Sequence, residues 1–592
     1  MTTSRLVGMR VLGPRPVTTV IILLLGVLVL VGGWLGWQAW QVNRDLGAAA
    51  DDAAALQTAL EDGDQASIDR SLADLQEHSA AASDRTDGVS WGLLTHAPVV
   101  GDDARGVRVV SDVMADLSND GLEPLARTAS RLDALLPRNG RVSIAAVRSL
   151  QEPVAQARDA LADADRRLAA EDSGGFVQRL RDRYRELAGK VSDAAEAMNS
   201  AETALDVLPS MLGDGESRHY LLVFQNNAEI RATGGLPGAV SLVRARDGKI
   251  ELTRQVAANS FGQRQSPVLP LSEVERLLYG AQLGTYFLDA NFTPDFPRTA
   301  DLMRARWEEV YGDDLDGVLS LDPVAISYLL AATGPVQVGD VTLSSDNAVD
   351  ELLHQVYLRY PDPDRQDRFF RDVARTVFGA VSSGGGAAPR DLLSALARGA
   401  DEGRIYVHSF DEDEQSALAG TRVAGELGTE ATSTPLVNVT LNDTTGAKMS
   451  YYLRYSVHVM STYCEDGVQG LSAHARLTSD APADAASLPG YITGAGKFGV
   501  EPGNQIVTVR IFGPVGGTID GFSINAKEFP PGDLVQDGRP VTSAYVYLTP
   551  GETVDVTWSM KTGPGQTDGA RVTVTPSIAA KSSSSTPASV CS

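Results

Sequence analysis

At 592 residues, with 51 Lys and Arg against 76 Asp and Glu, the chain has a formal net charge of −25. So acidic a surface repels a phosphate backbone, which excludes general nucleic-acid binding and requires any anionic ligand to be met by a local basic cluster. The length exceeds what one hydrophobic core supports and predicts several folded units.

In chain order, Arg5, Arg10 and Arg15 lead, with no acidic residue among them, into "VTTVIILLLGVLVLVGGWLGWQAW", residues 17–40, which is uncharged. About 24 positions at a helical rise of ~1.5 Å suffice to cross a hydrocarbon core of ~30 Å, and Trp34, Trp37 and Trp40 suit an interfacial belt. The expectation is a single span in the plasma membrane, residues 1–16 being a cytoplasmic basic tail and the bulk of the chain extracytoplasmic. The small residues of "GAAADD" at 47–52 leave a cleaved signal peptide as the competing reading, for which the apolar run is long.

Residues 41–208 predict a helical bundle or coiled-coil hairpin. Apolar positions recur three and four apart at Val147, Leu150, Val154, Ala157, Leu161, Ala164 and Leu168, and again from Val177 through Tyr184 and Val191 to Leu205. That is the bundle period, and it offers a surface for self-association. Pro and Gly break the pattern at 91–107, a join between hairpins where Trp91 and Leu93 are candidates for touching a membrane surface.

A layered α/β domain is expected over 209–432. "YLLVF" and "GAVSLVRARDGKIEL" read as strands, with a hairpin turn at Asp247-Gly248. Asp322-Pro323 starts a helix that Gly334 closes, "VQVGDVTLS" returns as a strand pair, and helices follow near 348–359, 365–381 and 390–398. Past Ser433 the helical signal ends. Seven short alternating segments between "LVNVTLND" and "ARVTVTPSI" predict an antiparallel β-sandwich over 433–580, with 581–592 a flexible tail. The fold class is thus multidomain α+β behind a transmembrane helix. Cys464 and Cys591 both fall on the outer side, where pairing would pin the tail, Cys591 being otherwise free in it.

No phosphate loop, H-E-x-x-H helix or G-x-S-x-G elbow occurs in the chain. Three polar stretches remain as site candidates. "QNNAEIRATGG", 225–235, supplies Asn227, Glu229, Arg231, Gly234 and Gly235; it reads as a turn or as a site, and a turn alone has no use for the Glu and Arg. "DANFTPDFPRTADLMRARW", 289–307, starts a helix with Asn291, Asp295 and Arg298 near its N-terminus, suited to an anion or, through Asp295, a cation; simple capping of the helix is the other reading, and for Asp295 the leading one. "YPDPDRQDRFFRDVART", 360–376, places Arg365, Arg368 and Arg375 on one helix face behind Asp364. An exposed helix with internal ion pairs fits that third stretch equally well.

The strings "YLLVFQNNAEIRATGGLPGAVSLVRARDGKIEL", "DANFTPDFPRTADLM", "DGVLSLDPVAISYLLAATGPVQV" and "SYYLRYSV" resemble the bacterial envelope family catalogued as domain of unknown function 4012. That resemblance implies an address and no chemistry. The order of elements also resembles, more remotely, the LytR-CpsA-Psr family, which transfers glycopolymers from polyprenyl pyrophosphate to peptidoglycan. The resemblance implies catalytic roles for Arg231 and for the Asp364, Arg365, Arg368 group, a magnesium ion held by Asp364 and Asp295, and polyprenyl-linked glycopolymer and peptidoglycan as partners. The family's Arg-x-x-Asp-Thr motif is absent, and Gly334-Pro335-Val336 stands where it has Gly-Gly-Val. The alternative is a non-enzymatic envelope scaffold that binds a glycan or a protein.

Overall fold

The computed structural model describes residues 15–128, 134–579 and 587–591. The described chain divides into two compact units, one formed by residues up to 131 with 148–205, the other by 132–147 with 206–592.

The first unit is helical. Helix α1 (Arg15–Asp62) packs along α2 (Gln65–Thr86), and α3 (Val89–Leu94) and α4 (Gly101–Asp116) follow. A π-helical turn leads into α5 (Glu123–Thr128); α6 (Ile144–Ala169) and α7 (Gln178–Met211) complete the set. Most of the expected apolar stripes are buried, Leu150, Ala157, Ala164 and Leu168 on α6 and Tyr184, Val191 and Leu205 on α7, but Val177, expected to open the second, is exposed in the turn before α7. Trp91 corrects one expectation. It is buried beside Val42 and Ala104 and donates its indole N–H to the Ala104 carbonyl at 2.9 Å, because an indole inside a bundle needs an acceptor; Leu93 is exposed. The expected span at 17–40 coincides with helical backbone in α1, but most of its side chains lie outside the described residues. Among the described residues no helix is long and apolar enough to cross a membrane.

The second unit carries the sheets. Strands β1 (Arg218–Arg231), β2 (Gly234–Arg246), β3 (Lys249–Ala257) and β4 (Gly317–Leu321) form, with β7 (Ile405–Ser409), a sheet of order β3-β2-β1-β4-β7. Only β1 and β4 run parallel within it. Asp247 and Gly248, both at positive φ, make the expected β2–β3 turn. Short helices α8 (Glu273–Tyr279) and α9 (Gln282–Thr285) and the longer α10 (Phe296–Tyr311) cover one face, where Phe296, Ala300, Met303 and Trp307 are buried along a single stripe. Asp322 caps α11 (Pro323–Thr333) by accepting the Ala325 N–H at 2.8 Å, and Gly334 ends it. The hairpin β5 (Val336–Val338) and β6 (Val341–Leu343) comes next, then α12 (Ala348–Asp350) and α13 (Val356–Arg359) around a π-helical turn, then α14 (Pro363–Ser382) and α15 (Pro389–Asp401).

The C-terminal part forms two five-stranded sheets. One has the order β13-β12-β16-β10-β9 and the other β14-β15-β11-β8-β17. Their ranges are β8 (Leu436–Asp443), β9 (Leu453–Glu465), β10 (Val468–Ser479), β11 (Gln505–Phe512), β12 (Thr518–Ile524), β13 (Lys527–Glu528), β14 (Leu534–Gln536), β15 (Arg539–Leu548), β16 (Thr553–Lys561) and β17 (Arg571–Val574). Inward residues of both sheets, among them Val439, Val457, Leu471, Val509, Val546 and Trp558, share one apolar core. The pairing is antiparallel except that β17 runs parallel to β8, which corrects the wholly antiparallel expectation. After β16 the chain crosses to the other sheet and lies beside its first strand in the same direction. Cys464 and Cys591 are joined in a disulfide with their Cα atoms 5.1 Å apart.

Candidate functional site

The site begins with a departure from ladder pairing. Residue Asn226 of β1 faces Leu236 of β2, yet the next pair is Ile230 with Gly235, so Asn227, Ala228 and Glu229 bulge out with nothing opposite them. A bulge bends its strand and re-aims its side chains. Here the polar residues in and beside the bulge are tied down individually. Gln225 accepts the Gly235 N–H at 2.7 Å and donates to Ser320 at 2.6 Å, Asn226 donates to Tyr357, and Asn227 donates to Asp322 at 3.0 Å. Asn291 donates to the Gly235 carbonyl at 2.7 Å. Gly235 has no space for a side chain, since a Cβ would stand 2.2 Å from the Asn226 carbonyl carbon, and Gly234 sits at φ 134°. Asn227, Gly234, Gly235 and Asn291 therefore hold the loop from behind.

The hairpin tip plugs into the two-sheet part. Ile230 joins its apolar core, the Ala232 N–H donates to Asn442 at 3.0 Å, and Thr575 donates to the Ala232 carbonyl at 2.9 Å. This docking brings Glu229 and Arg231 against residues more than 200 positions further along. Arg231, only 4 % exposed, donates to Glu229 at 2.9 Å and Asp289 at 3.1 Å while its guanidinium lies 4.7 Å from the Phe292 ring. Lys448 donates to the other Glu229 oxygen.

These buried charges set one another's protonation. Burial alone would raise the Glu229 carboxyl, but Lys448 and Arg231 hold it below its ordinary range. The ammonium of Lys448 is held above its ordinary value by Glu229 despite burial. Burial, and then the charge of Glu229, pushes Asp443 up to about 6; burial raises Asp289 as well, against the pull of Arg231. A fixed ion pair thus stands beside an acid whose burial favours its protonated form.

The cluster lines a cleft of about 690 Å³ between the β1–β2 tip, α8 and the two-sheet part. Its walls carry five cationic side chains, Arg231, Arg276, Lys448, Lys497 and Arg510, against three acidic ones, Glu229, Asp289 and Asp443. The balance is the reverse of the whole chain's. At the mouth the aromatic rings of Tyr545, Phe498 and Tyr491 are 72 %, 69 % and 47 % exposed.

Of the residues expected from sequence, Glu229 and Arg231 reach this cleft. Asp295 caps α10, as its place before the helix suggested, its two carboxylate oxygens accepting the Arg298 N–H at 3.3 Å and the Leu427 N–H at 3.1 Å, and burial pushes its acid up to about 6. Arg298 pairs with Glu275 at 2.7 Å. Asp364, Arg365 and Arg368 are exposed at the start of α14, where Arg365 lies 4.8 Å from the Tyr360 ring; Arg375 pairs with Asp372 at 3.1 Å on the same helix. None of α14 lines the cleft. Asp295 and Asp364 do not suit a shared magnesium ion: the first has both oxygens engaged by backbone donors, and no contact joins the two. Among the described residues no group of three or more His, Cys, Asp or Glu has the placement to hold a metal. Sequence reasoning missed Arg276, Asp289, Asp443, Lys448, Tyr491, Lys497, Phe498, Arg510 and Tyr545. One signal pointed to two of them, since Lys448 and Lys497 are among only seven lysines in the chain.

The stretch that supplies the bulge and one wall of the cleft, residues 215–357, matches the model of a family described as Protein of unknown function (DUF4012). No curated protein matches the chain. The DUF4012 stretch supplies Glu229, Arg231, Arg276 and Asp289 to the cleft, and the opposite wall lies beyond it.

Proposed function

We propose that this chain is a membrane-anchored, extracytoplasmic protein of a bacterial cell envelope that binds a glycan in the cleft between the DUF4012 stretch and the two-sheet part, which we read as a sandwich. The observation that carries it is the combination at the cleft: exposed Tyr545, Phe498 and Tyr491 at the mouth over a polar, charged interior. Aromatic faces stack on the C–H faces of sugar rings, while buried ion pairs fixed by their neighbours present oriented donors and acceptors to hydroxyls. The disulfide suits an oxidising space, and the apolar run at 17–40 suits an anchor.

The transfer of polyprenyl-linked glycopolymer to peptidoglycan implied by the LytR-CpsA-Psr resemblance needs Arg231, Arg365 and Arg368 around one diphosphate. Arg231 is compensated by two carboxylates and the other two stand on α14, so recognition is the better supported reading. The test is binding of purified envelope polysaccharide to the full chain in neutral detergent. Tyr545→Ala with Phe498→Ala is expected to weaken it at least tenfold, and unchanged binding by that double variant would sink the cleft as the glycan site.

A further inference from the structure

Three of the five cations in the cleft have no acidic partner. Arg231 and Lys448 are neutralised by Glu229 and Asp289, whereas no ion pair involves Arg276, Lys497 or Arg510 among the described residues. In a chain with 76 acidic residues against 51 basic ones, a group of cations left unpaired in one cleft is unexpected on charge supply alone.

Arg510 is the sharpest of the three. It projects from β11, is only 7 % exposed, and donates Nη2 to the Leu278 carbonyl, while its Nε and Nη1 are buried without a hydrogen-bond partner among the described residues. The guanidinium lies 5.0 Å from the Tyr279 ring. Burying a guanidinium without a counter-charge is strongly unfavourable unless something else compensates it. One ring contact and one carbonyl are partial compensation. The exposed Arg276 and Lys497 stand on the same cleft, from α8 and from the loop before β11, so positive charge converges from separate elements.

We infer that Arg510, Arg276 and Lys497 form an anion subsite within the cleft, which takes the carboxylate or phosphate of an acidic saccharide. The inference rests on the glycan-binding reading above and narrows its ligand to charged chains. Guanidinium groups suit both oxyanions through paired N–H donors, and an acidic protein that carries a local positive cleft gains selectivity for its ligand over bulk polyanions.

The test is calorimetric titration of the full chain in neutral detergent, at two salt concentrations, with four probes: a neutral gluco-oligosaccharide, an oligogalacturonate, glucose 1-phosphate and inorganic pyrophosphate. The expected result is tighter binding of the acidic saccharides than of the neutral one, weakened by salt, and at least tenfold weaker in the Arg276→Ala, Lys497→Ala double variant. Both of those positions are exposed, so the double variant should fold; Arg510→Gln is read alongside it with a thermal melt. Preference for the oligogalacturonate or for the sugar phosphate identifies which oxyanion the subsite takes. Equal, salt-independent binding of neutral and acidic saccharides, unaffected by the double variant, overturns the subsite and leaves glycan binding standing. Binding of pyrophosphate alone, lost in the double variant, keeps the subsite and rejects the glycan reading. No binding of any probe overturns both.

Discussion

Glu229 holds the buried network together, because it accepts from both Arg231 and Lys448 while Asp289 is available only to Arg231. Removing one partner of a buried pair typically costs about 3–5 kcal/mol, since the other charge is left uncompensated. Lys448→Met is therefore expected to lower the urea midpoint strongly, and Glu229→Gln with Lys448→Met to lose less than the sum of the two single changes. Additive losses would mean that the pair is not coupled. Asp443 adds a pH dependence. Its folded-state pKa, about 6 against an ordinary 3.8, is raised, so its stabilising contribution is full below about 3.8 and is lost as pH rises through about 6. About two units correspond to roughly 3 kcal/mol. Asp443→Asn should thus gain stability over the wild type between pH 4 and pH 7, by up to roughly that amount; parallel stability-against-pH curves for the two proteins would reject the assignment.

At the scale of elements, the bulge in β1 is what turns a hairpin end into a cleft wall. Its geometry depends on Gly235, where a Cβ would meet the Asn226 backbone at 2.2 Å. Gly235→Ala should disturb the tip that seats Ile230, Ala232 and Glu229, with a loss of at least ~2 kcal/mol in urea unfolding. An unchanged unfolding midpoint would show that the backbone there yields without penalty. The elements themselves were legible in the sequence. The Asp247-Gly248 turn, the Asp322 cap, the apolar stripe of α10 and the exposed basic face of α14 follow from local periodicity and turn chemistry, which act over a few residues. "QNNAEIRATGG" was legible as unusual for the same reason. Its partners were not, because Lys448, Asp443 and Arg510 reach Glu229 and its cleft only through the docking of the hairpin tip on β8 and the loop after it. Such long-range placement leaves no mark on local spacing. The same limit explains α14: its arginines share one face as their spacing requires, but nothing in that spacing says what the face looks out on. It also explains β12, β13 and β14, short strands with weak alternation that the pattern passed over.

At the scale of the whole molecule, the two-sheet part supplies one wall of the cleft and also receives the chain's end. Cys464, near the end of β9, is bonded to Cys591, 127 positions later, and Ser589 donates to the Thr567 carbonyl beside it. The loop so closed contains every strand from β10 to β17, so the bond constrains the unfolded chain across almost the entire C-terminal part. On the loop-entropy model a closure of that length contributes about 4–5 kcal/mol. Cys591→Ser, or wild type unfolded under reductant, should accordingly show a C-terminal transition at markedly lower denaturant than the oxidised protein. The two treatments should coincide, because the chain has no other cysteine with which Cys464 could pair. The β8–β17 pairing gives a second readout. It joins the first and last strands of this part independently of the disulfide, so amide exchange in β8 should stay protected in the reduced protein below its transition while the tail after β17 becomes exchangeable. If β8 loses protection together with the tail, the disulfide holds the native sheet edge in place, and its effect is not confined to the unfolded state.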